Sequence, residues 1–445
     1  MIKVTRTKYA IIGSGPAAFY AARALRKRDP GGKLVMIGAE GYLPYYRPLI
    51  SYHLAGWVPL ARLPIAKAEY YRREKIEFRS GTVTAVQGQE KTLTYRPLLP
   101  EEQEAAGTAG PAAAARRTFE LQFDKLLIAS GGTPAKPDIP GINTPGVYFL
   151  RTLSDAIKIA ARAEGRKKAL LLGGGLVSLK AACALHKLGL ETTLAVASSR
   201  ILSQMLDSKG AAMVNAYLAE KGLQTILQND VVAIHGNSTG VTGVTLADGR
   251  ELKTDLIVVG KGVRPSTTFL QGSGIAEKEG VITDELLQTN LPGIFAAGDV
   301  ALSKDIVLHE PVNNALWPNA TAQGEIAGAN MSGGHLCYQG SLRLNATEFF
   351  GLPVIAAGLG RMQNSQDMPL EIYETQCPVH SQQEPHFLRL VFQKNCLAGY
   401  VAIGENNKAG ILTNLITGRY PLSPQQKERL INGDLTFPFL TAKAP

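Results

Sequence analysis

Lys8-Tyr9-Ala10-Ile11-Ile12-Gly13-Ser14-Gly15-Pro16-Ala17-Ala18 decides the fold: an apolar run stops at a glycine, turns through a second one and restarts as a helix. Residues 8–12 read as a buried parallel strand, because a continuous apolar run bounded by glycine needs cover on both faces. Residues 17–28 have helical spacing and many alanines. Residues 33–37 (Lys33-Leu34-Val35-Met36-Ile37) form a second strand and complete a β-α-β unit. In that setting residues 13–18 fit the dinucleotide pattern G-x-G-x-x-A. Gly13 permits the tight turn, Gly15 lets the backbone approach a pyrophosphate, and Ala18 lets helix pack closely on strand. The helix begins at Pro16 and Ala17, where its partial positive charge meets the phosphates. Glu40, just past the second strand, is the candidate acid for the ribose; a solvated loop glutamate is the other reading.

The same pattern recurs downstream. Residues 169–172 form a strand, Gly173-Gly174-Gly175 a turn, residues 176–188 a helix beginning Leu176-Val177-Ser178, and residues 192–196 a strand. Two β-α-β units this far apart mean two nucleotide folds. Two further apolar strands end in small residues: Lys125-Leu126-Leu127-Ile128-Ala129-Ser130-Gly131 and Gly293-Ile294-Phe295-Ala296-Ala297-Gly298-Asp299. A carboxylate such as Asp299 at the edge of a parallel sheet can accept hydroxyl hydrogens. Residues 97–117 are low in complexity and lie between strand-like residues 91–95 and 119–123, which reads as a hairpin with an extended mobile loop. From residue 338 onward short strands, such as residues 352–357 and 387–392, indicate a separate α+β domain.

The bulk numbers agree. A chain of 445 residues exceeds one ordinary core, and 45% hydrophobic with 19% charged residues is a globular composition. No apolar run reaches the roughly 18 residues needed to cross a bilayer, so no membrane span is expected and a cytoplasmic location is. The formal charge of +10 could steer an acidic partner or reflect a general basic bias. No nucleic-acid motif accompanies it, so nucleic acid is not expected as a partner. The four cysteines (Cys183, Cys337, Cys377 and Cys396) form no Cys-x-x-Cys pair, and no metal site is expected.

Taken in order, these segments resemble the pyridine nucleotide–disulfide oxidoreductase superfamily over residues 8–400. The resemblance implies an α/β fold of two Rossmann-like dinucleotide-binding domains, the NAD domain inserted in the FAD domain, plus a C-terminal α+β domain. It places the FAD-binding domain at 1–146 and 265–337, the NAD(P)-binding domain at 147–264 and a C-terminal interface domain at 338–445. It implies that Ala129, Ser130 and Gly131 support the FAD and that Gly298 and Asp299 bind its ribityl chain. Val83 joins the cofactor-binding residues. Gly260-Lys261-Gly262-Val263-Arg264-Pro265 resembles the segment that closes the insert, which brings Gly262 and Arg264 to the cofactors.

The departures from the family pattern matter. Disulfide-reducing members carry a cysteine where this chain has Tyr45-Tyr46-Arg47-Pro48-Leu49-Ile50-Ser51-Tyr52, and no cysteine precedes Cys183. The segment resembles instead the rubredoxin reductase, ferredoxin reductase and nitrite reductase flavoprotein branch. There Arg47 would meet the FAD pyrophosphate by charge-assisted hydrogen bonds, and Pro48 would shield the flavin edge. Asn314-Ala315-Leu316-Trp317-Pro318 begins a helix aimed at the flavin, and Trp317 is either a lid or a core residue. His53 and His309 are read as structural. Ser178 replaces the third glycine, which should loosen helix–strand packing slightly. Lys180 replaces a family glutamate; it either meets the flavin or points to solvent. The second-strand acid expected near Val196 is absent, and Ser198, Ser199 and Arg200 follow, so NAD is expected with NADP open.

The expected function is flavin-centred electron transfer between NAD(P)(H) and an iron–sulfur protein or complex, in either direction, with no catalytic dyad required. Ser203-Gln204-Met205-Leu206-Asp207 and the C-terminal region resemble flavoprotein subunits of anaerobic bacterial systems. The chain would then be the diaphorase arm of a larger 2-oxoacid dehydrogenase, of the phenylglyoxylate type. A free-standing NAD(P)H oxidase, a homodimeric rubredoxin or ferredoxin reductase, and a non-catalytic flavin scaffold are the competing readings.

Overall fold

The computed structural model describes residues 4–98, 118–377, 385–404 and 408–432. The chain forms two compact units: Met1–Ala135 with Arg151–Ala161 and Gly262–Ser341, and Lys136–Leu150 with Arg162–Lys261 and Leu342–Pro445.

In the first unit a parallel sheet runs in the order Ile76–Gln87, Leu34–Gly38, Val4–Ile12, Phe119–Ile128 and Ile294–Ala296. The apolar runs alternate between two cores, as a two-residue period demands. Ile11, Met36 and Leu127 face the helix Pro16–Arg28, while Ala10, Ile12, Val35, Ile37, Leu126 and Ile128 face the opposite side. The first strand starts at Val4 rather than at residue 8, because Val4 to Thr7 pair with Glu120 to Phe123. The second half of Ile76–Gln87 pairs antiparallel with Thr92–Pro97, which pairs antiparallel with the start of Phe119–Ile128. The expected hairpin is therefore present. The mobile loop expected in it lies outside the described residues from position 99 to 117.

In the second unit five parallel strands run in the order Gln224–Leu227, Glu191–Val196, Lys168–Leu172, Leu256–Val259 and Val147–Phe149. The helix Leu176–Lys187 lies against this sheet, with Leu179, Ala181, Ala182 and Leu185 buried. The C-terminal region of the same unit is a five-stranded antiparallel sheet, ordered Leu344–Phe349, Leu352–Gly358, Cys396–Ile403, His386–Gln393 and Glu371–Cys377. Helices Ala409–Gly418 and Pro424–Ile431 follow it. The helix Ser208–Glu220 docks on this sheet: a Cβ on Gly210 would sit 3.3 Å from Ile403 and from Phe387. Among the described residues no helix is long and apolar enough to cross a membrane.

Candidate functional site

The first glycine turn has the backbone of a phosphate cradle. Gly13 has φ +119°, and a Cβ there would lie 2.1 Å from the Ala129 carbonyl oxygen, so only glycine fits. Gly15 caps the helix Pro16–Arg28 and has open space above it. No side chain caps this helix and its first turn holds no acid, so its N–H groups present their positive end outward. Ala17 and Ala18 are buried and Pro16 is half-buried at the rim. Ala129 is buried, and Ser130 Oγ donates to the Ser266 carbonyl at 2.8 Å. Gly131 has φ +70°. Gly298, at φ +81°, would bring a Cβ to 3.1 Å from that of Ala17. The residues of this turn fit the pyrophosphate of a dinucleotide.

A chain of charges runs beside the turn. Arg47 pairs with Glu40 at 2.5 Å and donates to the Arg151 carbonyl at 2.7 Å. Arg151 in turn pairs with Asp299 at 2.7 Å and donates to the Gly132 carbonyl at 3.1 Å. Tyr45 donates to the second Glu40 oxygen and accepts from the Leu153 amide. Burial works against the Arg47 charge, but Glu40, Tyr45 and Asp299 outweigh it and hold the guanidinium more firmly protonated than usual. Burial, with Glu40 alongside, pushes the Tyr45 phenol well above its ordinary range despite Arg47. Glu40 and Arg47, read separately from sequence as ribose and pyrophosphate ligands, are thus each other's partner.

Arg151 is the site residue that sequence reasoning missed. Its neighbours carried a signal: Thr152-Leu153-Ser154-Asp155 has capping-box spacing. Asp155 donates its amide to Thr152 Oγ1 at 3.1 Å, and its carboxylate accepts the Thr152 amide at 2.7 Å and the Arg151 amide at 3.0 Å. That box holds Arg151 at the start of the helix Leu153–Ala163.

The aromatic rim is short. Trp317 opens the helix Trp317–Met331 and is half-buried, stacked on the exposed Tyr46 ring at 5.4 Å and 30°. It is neither a core residue nor free. Pro48 is exposed next to Arg47. Val83 is buried in the strand Ile76–Gln87. Arg264 and Gly262 are exposed, and the strand Val263–Pro265 pairs antiparallel with Gly132–Pro134. His53 Nδ1 lies 2.9 Å from the Val58 carbonyl, a turn contact within its own segment.

The second glycine turn repeats the first. Gly173 has φ +111° and would place a Cβ 2.6 Å from the Gly260 carbonyl oxygen; Gly174 would place one 2.7 Å from Val196; Gly175 is open above. Its helix also lacks a side-chain cap and an acid in the first turn, with Leu176 half-buried and Val177 exposed. Ser178 does not loosen the packing, because Gly260 makes room for it: a Cβ on Gly260 would fall 2.0 Å from Ser178 Oγ. Lys180 takes neither course expected of it. It donates to the Glu348 carbonyl at 2.9 Å and lies over the Phe349 ring, on the C-terminal sheet. Ser199 is exposed, and Arg200 donates to the Leu206 carbonyl at 3.3 Å. Cys183, on the same helix, is buried, which pushes its thiol up to about 12 although Lys180 opposes this.

Two glycine turns of the dinucleotide type, one with the Asp299 carboxylate at its sheet edge, belong to a flavin- and nicotinamide-dependent oxidoreductase. The chain belongs to the pyridine nucleotide-disulphide oxidoreductase family, whose model matches residues 7–324. Members of this family use FAD and NAD(H). It is 29% identical to the NADH-dependent phenylglyoxylate dehydrogenase subunit epsilon of Aromatoleum evansii, over 96% of each chain. It is 25% identical to the NADH-rubredoxin oxidoreductase of Clostridium acetobutylicum, over 90% of this chain and 91% of that one. The fold matches the ferredoxin reductase of Rhodopseudomonas palustris with a TM-score of 0.82 at 22% identity, over 98% of this chain and 100% of that one.

Proposed function

We propose that this chain exchanges electrons between a nicotinamide dinucleotide and an iron–sulfur protein, as the diaphorase subunit of a larger enzyme. A 2-oxoacid dehydrogenase of the kind named for the Aromatoleum relative is the model for that enzyme. One observation carries the reading. Where a disulfide-reducing member would place sulfur, Arg47 stands tied to Glu40 and Arg151, and no cysteine precedes Cys183. Electrons arriving there have no thiol of this segment to reduce. Bound FAD would supply two-electron exchange with the nicotinamide and one-electron exchange with a metal centre.

The residues then divide the work. Gly13, Gly15, Pro16, Ala17 and Ala18 hold the FAD pyrophosphate on the open helix end. Asp299, oriented by Arg151, accepts the ribityl hydroxyls, while Ala129–Gly131 and Val83 line the strand edges. Glu40 and Arg47 hold the ribose and phosphate side as a neutral pair. Gly173–Gly175, Leu176 and Val177 take the nicotinamide dinucleotide in the same way. Residues 1–146 and 265–337 would form the FAD domain, 147–264 the nicotinamide domain and 338–445 the interface domain, in a cytoplasmic assembly.

The test is anaerobic. NADH or NADPH should bleach the flavin, and turnover should proceed with a viologen dye but consume little oxygen when air is admitted. Rapid oxygen uptake yielding peroxide would make the chain an oxidase instead. Purification from the native host should bring iron–sulfur subunits with it; a lone homodimer would overturn the subunit assignment.

A further inference from the structure

The segment that carries Arg47 also turns an aromatic face outward. Tyr46, exposed, is stacked on Trp317 at 5.4 Å. Its amide donates to the Leu63 carbonyl at 2.8 Å, and the Ile65 amide donates to the Pro44 carbonyl at 2.9 Å, so residues 44–46 and 63–65 run side by side. The loop between them is tied to itself. The Trp57 amide donates to the Tyr52 carbonyl at 2.9 Å, and the Arg62 amide donates to the Pro59 carbonyl at 3.0 Å in the short turn Leu60–Arg62. The Trp57 ring leans on Tyr52 at 5.6 Å. Even so, Trp57 is 50% exposed and Leu60 47% exposed, with Pro59 exposed between them. Scattered apolar side chains on a surface need no explanation, but a cluster of them marks an interaction site. Tryptophan, tyrosine and arginine are also the residues that dominate protein interfaces.

The charge around this face has one sign. Residues 41–68 contain no Asp or Glu. Arg47 is met by Glu40, but Arg62 and Lys67 are exposed, and among the described residues neither pairs with a carboxylate. Residues 48–75 hold five arginines and lysines against two glutamates, and those two, Glu69 and Glu74, are taken up by Arg72 and Arg73. An apolar centre with a basic rim fits an acidic protein: the rim steers the encounter and the centre holds the complex. A second copy of this chain meeting it face to face would set Arg62 and Lys67 against themselves. The face starts at the Tyr46–Trp317 rim, where Arg47 reaches Arg151 and through it Asp299. A partner seated there stands next to the site proposed for the flavin.

We propose that Trp57 and Leu60, continuous with Tyr46 and rimmed by Arg62 and Lys67, form the face on which an acidic iron–sulfur partner docks. The inference rests on the electron-transfer reading above. The test uses the flavin-loaded full chain without oxygen, NADH or NADPH as donor, and an acidic bacterial ferredoxin with two four-iron clusters as acceptor. One reduced coenzyme supplies two electrons, one for each cluster, and releases a proton. Trp57→Ala and Arg62→Glu should each raise the KM for ferredoxin at least about tenfold, as loss of an interface anchor does. Flavin bleaching and viologen reduction should stay within about twofold of wild type in both variants. Ile282→Ser, which removes another exposed apolar side chain, should leave the ferredoxin KM unchanged. An unchanged KM in Trp57→Ala and Arg62→Glu overturns the docking face, as does an equal rise in Ile282→Ser. A wild type that reduces viologen but not ferredoxin overturns the partner's chemistry. A wild-type dimer that Trp57→Ala splits into monomers, measured by sedimentation, gives the face to a second copy and overturns the proposal as well. If neither coenzyme bleaches the flavin, the electron-transfer reading itself fails; if bleaching and viologen reduction proceed while the variants match wild type with ferredoxin, only the docking face fails.

Discussion

Arg151 holds Asp299 with one nitrogen and the Gly132 carbonyl with another, while its own carbonyl takes Arg47. Replacing it with methionine removes the guanidinium and keeps the backbone acceptor. Asp299 is left four-fifths buried without its counter-charge, free to rotate away from the edge proposed for the ribityl chain. Hydrogen bonds to charged groups contribute about 1.5–3 kcal/mol, so FAD affinity in Arg151→Met should fall about 10- to 100-fold. Flavin fluorescence during dilution of the holoprotein measures this directly, and an affinity within about twofold of wild type would remove Arg151 from the site. The residue was hard to find from sequence for a physical reason. Its partners Asp299 and Arg47 lie 148 and 104 positions away, whereas the Thr152–Asp155 box that positions it is local. Gly13 and Gly173 were legible because their positive φ and close carbonyl contacts follow from a strand–turn–helix written within a few residues.

Helix Pro16–Arg28 is held against helix Trp317–Met331 at backbone distance. A Cβ on Gly324 would lie 2.3 Å from the Ala17 carbonyl oxygen, and one on Gly328 would lie 2.2 Å from that of Ala21. Gly324-x-x-x-Gly328 thus faces Ala17-x-x-x-Ala21, small residues at one-turn spacing on both helices. In an exposed helix, alanine is better than glycine by about 1 kcal/mol. Here the blocking atoms are backbone oxygens, which yield only if a helix moves, so overpacking at about 1–3 kcal/mol or more wins. Gly328→Ala should therefore lower the thermal midpoint and loosen the flavin, because Ala17 and Ala18 belong to the dinucleotide turn. Gly410→Ala is the control: Gly410 lies in the helix Ala409–Gly418 with open space above it, and the same change there should be neutral or stabilising. Calorimetric scans of both variants decide the matter, and equal effects would contradict the close packing. The strands and helices were legible from apolar period, but this contact was not, because no local pattern says which helix lies opposite. The same limit applies to Ser178. Its loss of glycine is offset by Gly260, 82 positions away in the chain.

At the scale of the whole molecule the formal charge of +10 gains a use if electrons leave to a partner. A basic surface raises the encounter rate with an acidic protein by long-range attraction, and salt screens that attraction. The screening length shrinks from about 10 Å at 0.1 M salt to about 3 Å at 1 M. A small dicationic viologen feels the opposite sign, so screening should leave its rate level or raise it. Reduction of an acidic iron–sulfur protein should accordingly slow at least about tenfold as salt rises from about 0.05 to 0.5 M. Nicotinamide-driven viologen reduction in the same buffers should not slow by that factor, which separates partner docking from any effect of salt on coenzyme binding or on the flavin. Stopped-flow traces with both acceptors supply the comparison. A salt-independent rate with the protein acceptor would mean that the basic charge serves no docking, and the electron-transfer reading would then rest on the cysteine-free segment at Arg47 alone.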